Sequence, residues 1–358
     1  MSGGSVCYDV TSISSYSQQM VSVERGYNRD GDELAQFNLG MFCDETSKMP
    51  LYYNRYNGSI TDKTNLMYVL DNAKTVGISH VKMVLDGGFW SEADLKSLQG
   101  FSTAFTVGMP AHLKESESIL NTHTAELEQY ANEFSEKGLY GISVPTTIYD
   151  IKGRVLVYYS AWNHLHQCNE LSGLLGRLQE ELASLKRYPQ SKLKRYTSYF
   201  TLTKHEKDSG FDYQVDLEKV EKARKRKGYF LLFSTDMTSS PEQILGYYRA
   251  KDADEKIFAQ IKVDMQCDRS RTHNEKTTDG KTFVTFLACV IRSCMMQKLS
   301  KYLTVHSTSL NKVLNQLSNV MVISHNDCIR FTKALTKTQK SILDAFGAAL
   351  DIEKSLNS

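Results

Sequence analysis

The chain lacks several things that would have pointed to a function. Net charge is nearly absent: 43 Lys and Arg stand against 41 Asp and Glu, a balance of +2 at pH 7. No overall field therefore draws the protein to nucleic acid, and such a partner has to be met by local patches. The seven cysteines, at 7, 43, 168, 267, 289, 294 and 328, are odd in number and lack paired metal-ligand spacing, which suits reduced thiols in a cytoplasm. No stretch approaches the ~18 apolar residues of a membrane span. The start, MSGGSVCYDV, has neither the basic nor the apolar region of a secretion signal. Internal repeats and low-complexity segments are missing too. The expectation is a soluble cytoplasmic protein with no membrane partner.

What is present is a globular composition. Of the 358 residues, 41% are hydrophobic, enough to bury a large core, and the length suits two domains or one domain with a big insertion. Over 1–110, strands and helices alternate. SVCYDVTSI is a short β-rich run, and FNLGMFCD and PLYYNRYNG are strands around a turn at 45–49. Thr61 or Asp62 caps a helix through Val76. HVKMVLDGGF is a buried strand ended by Gly87 and Gly88. Ser91 caps SEADLKSLQG, with Asp94 at the reciprocal capping position and Gly100 closing the helix. TAFTVGMP supplies the next strand. The fold class expected is α/β, a mixed sheet flanked by helices.

After Pro110 the pattern changes. A hairpin turning at Lys152 and Gly153, the amphipathic helix NELSGLLGRLQEELASLKRY and the β-rich RYTSYFTLTKHEKDSGFDYQVD predict an inserted β-rich domain with one long helix over 111–226. The α/β character resumes at GYFLLFSTD, and Ser240 and Pro241 open a helix. This second part of the core spans 227–303, and 304–358 is a helical C-terminal segment.

Within that second part, YYRAKDADEKIFAQIK occupies 247–262. At ~100° per residue, Tyr248, Lys251, Glu255 and Lys262 fall on one narrow stripe of a helix. The neighbouring stripe, Tyr247, Ile257, Phe258, Ile261 and Met265, is apolar and anchors that helix on a core. Asp9 lies within the first strand and Asp86 at the end of VKMVLD, so the fold can bring Asp9, Asp86 and Glu255 to one end of a sheet. Three carboxylates supply the hard oxygen ligands that two Mg²⁺ ions need. Taken singly each acid is ordinary. Asp86 before Gly-Gly also suits a plain turn, and the tyrosine and lysines also suit side chains lying over the core.

Tyr248, Lys251, Glu255 and Lys262 match the Y-x2-R-x3-E-x6-K signature of transposases of the DDE superfamily, in the group called the insertion sequence four family, with lysine in place of arginine. The resemblance continues in YDVTSISS, GYNRDGDELAQFNLGM, YYNRYNGSITDKTNL and VKMVLDGGFWSEADLKSL, and covers roughly 5–110 and 228–300. It implies an RNase H-like catalytic core with Asp9, Asp86 and Glu255 as a triad binding two Mg²⁺, for which Mn²⁺ can substitute. It also implies DNA-phosphate contacts by Tyr248, Lys251 and Lys262. The implied activity is cleavage and strand transfer on double-stranded DNA, at element ends and target. The enzyme would be prokaryotic, working as a homodimer in its DNA complex and nucleoid-associated when bound. Lysine at 251 loses the bidentate fork of arginine, and Gly87 stands where the family commonly has arginine. The first catalytic aspartate comes as early as residue 9, which suggests a truncated copy without the region that recognises terminal repeats. Two alternatives follow: a non-catalytic remnant that binds DNA or pairs with a full-length transposase, and a nuclease of the same fold without strand transfer.

The insertion has its own charge pattern. Over 186–227 there are 13 Lys and Arg against 6 Asp and Glu, an excess of 7 by subtraction, with Tyr188, Tyr196 and Tyr199 between them. Basic residues among aromatics suit DNA backbone contact and base stacking; a solvated basic face is the plain alternative. His164, His166 and Cys168 alternate in HLHQC, but no second ligand pair stands at zinc-finger spacing.

Overall fold

The computed structural model describes residues 5–190, 192–205, 210–325, 328–331 and 334–347. The chain divides into two compact units, Met1–Thr106 with Gly246–Ser358, and Val107–Leu245.

The first unit is built on β1, Ser5–Ser15, which is buried on both faces along nearly its whole length. β2, Gln36–Asp44, runs antiparallel to it from Val6↔Asp44 to Ser14↔Gln36. β3, Pro50–Asn57, is antiparallel to β2. Thr61 caps α1, Asp62–Thr75, by accepting the Thr64 N–H, a contact worth about 1 kcal/mol. β4, Lys82–Leu85, lies parallel to β1. Ser91 then caps α2, Glu92–Phe101, and donates back to the Asp94 carboxylate at 2.5 Å. Gly100, expected to close this helix, sits inside its last turn. β5, Ala104–Met109, completes the order β3-β2-β1-β4-β5. The mixed sheet flanked by helices expected of an RNase H-like core is present.

The second unit begins with α3, Lys114–Leu127. β6, Leu139–Ile148, and β7, Ile151–Ser160, form a hairpin. Its turn is at Tyr149 and Asp150, both at positive φ (49° and 64°), earlier than the expected Lys152 and Gly153. Two central residues at positive φ give the turn whose twist matches that of the flanking strands, so hairpin twist overrode the local preference for glycine. Next come α4, Ala161–Ser184, and α5, Leu193–Thr197. The pair β8, Phe200–Lys204, and β9, Phe211–Val215, is antiparallel. After α6, Leu217–Arg224, β10, Tyr229–Ser234, pairs with β7, giving the order β10-β7-β6. α7, Pro241–Ala250, is capped by Ser240, which accepts the Gln243 N–H.

Back in the first unit, one continuous helix was expected over 247–262. Instead α7 ends at Ala250, α8 runs Asp252–Ala259, and a π-helical turn takes Gln260–Asp264. Lys251 sits at the joint between two tight i→i+3 bonds, from its own N–H to the Tyr248 carbonyl at 3.2 Å and from the Asp254 N–H to its carbonyl at 2.8 Å. The apolar stripe does anchor the segment. Ile257, Phe258 and Ile261 bury against Ile13, Phe37, Leu39, Met41, Cys43 and Cys289, each contributing about 1.5–3 kcal/mol.

β11, Arg269–Ser270, joins β1 at Ser14. α9, Glu275–Val305, carries a window of mean hydropathy 1.3 and is by length and composition long and apolar enough to cross a membrane. No continuous apolar run marks it in the sequence, because charged and polar residues interrupt it. α10, Leu310–Ser318, and α11, Lys337–Phe346, pack with α9 around Leu299, Leu310, Val313 and Ile342. The small pair β12, Val322–His325, and β13, Cys328–Phe331, was not expected in this helical region. The rest of the expected C-terminal helix, 348–358, lies outside the described residues.

Candidate active site

Strand register brings the first two acids together. β1 and β4 pair in parallel up to Tyr8↔Leu85, so the next positions, Asp9 and Asp86, stand abreast, with strands about 4.8 Å apart. There β4 ends and its chain turns away through the tight turn Gly87–Phe89. β11 rejoins the same edge of β1 only at Ser14. The gap between the two strands opens the sheet beside Asp9.

α8 covers this gap. Lys251, just before α8 in the chain, is only 7% exposed. Burial works against its charge, but Asp9, Asp86, Glu255 and Asp254 together hold the lysine pKa above its ordinary value. Burial raises the Asp9 carboxyl, while Lys251 and the Val10 N–H, which donates to it at 2.8 Å, pull it back down. Tyr248 donates from its hydroxyl to Asp86 at 3.2 Å, and burial together with Asp86 raises the phenol. Glu255 stands at the solvent edge. Its side chain is 66% exposed and reaches the Lys251 Nζ at 3.9 Å.

Five of the six residues singled out from the sequence are therefore linked around Lys251. Lys262 is not among them. It sits on the π-helical turn, and its ammonium is held by both oxygens of Asp30 at 2.6 and 2.7 Å. The shared helical stripe does not survive the break at Lys251 and the π turn.

Sequence reading missed Asp254. It is 1% exposed, and neither carboxylate oxygen has a hydrogen-bond partner in the protein. Burial pushes the acid up to about 7, against the Cys43 thiol beside it, which lowers it. Asp9 raises it further, and Lys251 and Lys48 lower it. A signal was available: Asp254, Ile257, Phe258 and Ile261 follow the i, i+3, i+4, i+7 spacing of a buried stripe, so an acid there has to be buried. Arg29, which lowers the Asp9 pKa and pairs with Asp62, also went unnoticed.

Carboxylates are the right donors for a hard divalent cation. As they stand, they converge on an ammonium. Among the described residues, no three His, Cys, Asp or Glu side chains are grouped so as to hold a metal ion. The donor type suits magnesium, but the described geometry does not group three of these side chains around one ion.

In the second unit the basic run is partly spent on neighbours. Arg195 pairs with Glu181 at 2.8 Å, Arg224 with Glu221 at 3.3 Å and Lys222 with Glu117 at 3.6 Å. Tyr196, expected as a stacking residue, is 3% exposed and packs with Leu178, Leu182 and Phe200. Tyr199 packs against the same cluster, and Tyr188 meets Phe211 edge-on. Lys186, Arg187, Lys194 and Lys225 remain exposed. His164 engages the Lys227 carbonyl at 3.0 Å and Cys168 at 3.5 Å, and His166 stacks on Trp162.

No protein-family model matches this chain, and no curated protein does. Among solved structures, a piggyBac transposase synaptic complex with hairpin DNA aligns with a TM-score of 0.41 and 11% identity, over 99% of this chain and 54% of that one. The chain thus spans about half the length of that protein, and a likeness so distant bears on neither fold nor function.

Proposed function

We propose that the chain is a DDE-type DNA transposase of the insertion sequence four family, cleaving double-stranded DNA and transferring strands with Asp9, Asp86 and Glu255. The observation that carries this reading is the gathering of three acids from remote segments, with Tyr248, around one buried lysine at the place where the sheet opens. Mg²⁺ or Mn²⁺ bound by these carboxylates would supply Lewis acidity for in-line phosphoryl transfer.

The remaining steps belong to the protein. Asp9 is fixed by β1 and the Val10 N–H, and Asp86 by the Tyr248 hydroxyl, so two of the carboxylates are held before substrate arrives. Lys251 and Lys262 are the cations for DNA phosphate. Lys262 has to exchange Asp30 for phosphate, a like-for-like swap of one anion for another. Lys48 and Lys256, with Asp252, line a cleft of about 420 Å³ beside α8.

The test is nicking of a DNA fragment bearing the element's ends in Mg²⁺ or Mn²⁺. Nicking that vanishes in Glu255→Gln supports the reading. Joined products distinguish strand transfer from simple hydrolysis. One observation favours a second reading, a remnant that binds DNA without cutting it: the acids already have a cation in Lys251. DNA binding with no nicking in either metal selects that alternative.

A further inference from the structure

The long helix α9 is amphipathic against expectation. Of its buried residues, Thr278, Thr282 and Ser293 are polar, whereas Gly280, Val284, Leu287, Ile291 and Cys294 are exposed. At ~100° per residue these five lie within about 80° of one another, with Phe283 flanking them. Phe283, Val284, Leu287 and Ile291 are 49%, 63%, 42% and 55% exposed. Along this stripe no charged side chain occurs between Lys276 and Lys298. Single apolar residues on a surface are ordinary, but a contiguous strip of them marks a contact.

The pattern of the stripe indicates what it meets. Nucleic acid calls for cations, and the stripe has none between its ends. The other side of α9 is committed to the protein, where Cys289 buries with Ile257, Phe258 and Ile261. Positions 280, 284, 287, 291, 294 and 298 are spaced by 4, 3, 4, 3 and 4 residues, the alternation of a helix–helix seam. That series reads the same in both directions, as a surface must when it pairs with itself about a two-fold axis. Charge sets the direction. Parallel copies would oppose Lys298 to Lys298 and Lys276 to Lys276. Antiparallel copies centred on Cys289 set Val284 against Cys294, Leu287 against Ile291 and Lys298 against Gly280. Space is open at Gly280, and the Asp279 side chain beside it is 63% exposed, so each Lys298 meets an acid.

We propose that this stripe of α9 is a docking surface for a second copy of the chain, the two helices lying antiparallel about Cys289. The contact requires neither DNA nor metal, and it stands whether or not the acids of the first unit cleave DNA. The stripe offers roughly a few hundred Å², less than the ~800 Å² per partner of a standard interface. The dimer is therefore expected to form at micromolar rather than nanomolar concentration.

Sedimentation equilibrium of the full chain without DNA, at about 1–100 μM to bracket that range, tests it. The wild type is expected to pass from monomer to dimer. Leu287→Lys and Ile291→Lys, at exposed positions, are each expected to weaken the dimer by more than about tenfold, as loss of a central contact in a small interface does, with unfolding in urea unchanged. Mild oxidation reads the orientation. Val284→Cys is expected to give a disulfide-linked dimer through Cys294 of the other copy, lost again when Cys294→Ser is added, while the wild type does not cross-link. A wild type that stays monomeric throughout, a dimer that survives both lysine substitutions together, or a wild type linked from Cys294 to Cys294 each overturns the proposal. So does a monomer that sediments with phosphatidylcholine vesicles and is released by Leu287→Lys, which gives the stripe to a lipid surface.

Discussion

The two units handle charge in opposite ways. The second carries the basic run, and much of it is neutralised locally at the surface: Arg224 with Glu221 one turn away, Arg195 with Glu181, Lys222 with Glu117. The first concentrates four acids around one buried ammonium, with a fully buried carboxylate left unpartnered. Surface pairs in water are worth under about 1 kcal/mol. Buried charge is costly to leave uncompensated. A fold that keeps the second kind is storing electrostatic free energy at one place, and that place is where the sheet opens beside Asp9.

The largest expected effect comes from removing the hub. Lys251→Met should destabilise the metal-free protein by about 3–5 kcal/mol at neutral pH, the cost of breaking a buried pair by deleting one partner, read from urea unfolding. Loss below 1 kcal/mol would make Lys251 no different from a surface lysine of the second unit, and the contrast between the units would disappear.

A pH titration sharpens the same contrast. Asp254 is pushed up to about 7 from an ordinary 3.8, and Asp9 is raised as well. When the folded pKa exceeds the unfolded one, the folded state holds the extra proton between them. Unfolding free energy therefore falls as pH rises from about 4 through about 7, by at most about 4 kcal/mol for Asp254. Asp254→Asn should flatten most of this slope and stabilise the protein at pH 7. A wild-type stability that rises over this window contradicts the burial of both acids.

How much of this was legible in the sequence depended on whether the determinant was local. Strand and helix positions came from periodicity and caps, and Ser91, Thr61 and Ser240 cap the helices they were expected to open. Asp9 and Asp86 stood at a strand and a strand end. Their adjacency is a matter of register between distant segments, supplied by Tyr8↔Leu85. Lys262 was misplaced on the stripe because helical spacing assumes 3.6 residues per turn, and a π turn violates it. Tyr196 was read as exposed because its neighbours are basic; the cluster that buries it comes from α4 and β8. Asp254 was overlooked in favour of Glu255 beside it, although its own apolar period marked it as buried.

Glu255→Gln gives an intermediate case. With its side chain mostly in solvent and its lysine 3.9 Å away, the substitution should change stability by under about 0.5 kcal/mol while abolishing nicking. A large stability loss would make it structural and weaken its assignment as the third carboxylate.

The smallest effects are expected in the second unit, where they are also the most informative about DNA. Lys194 and Lys225 are exposed and without an ion-pair partner among the described residues, whereas Arg224 has Glu221. If the run follows a DNA backbone, Lys194→Ala and Lys225→Ala should each lower the slope of log affinity against log salt by about 1, the release of one counterion per phosphate contact. Unfolding free energy should stay within about 0.5 kcal/mol, because neither lysine supports the fold. Arg224→Ala should change the slope less, since its charge is already balanced by Glu221. Equal slopes for all three variants and the wild type would return the basic run to a solvated face and leave contact with DNA to the first unit.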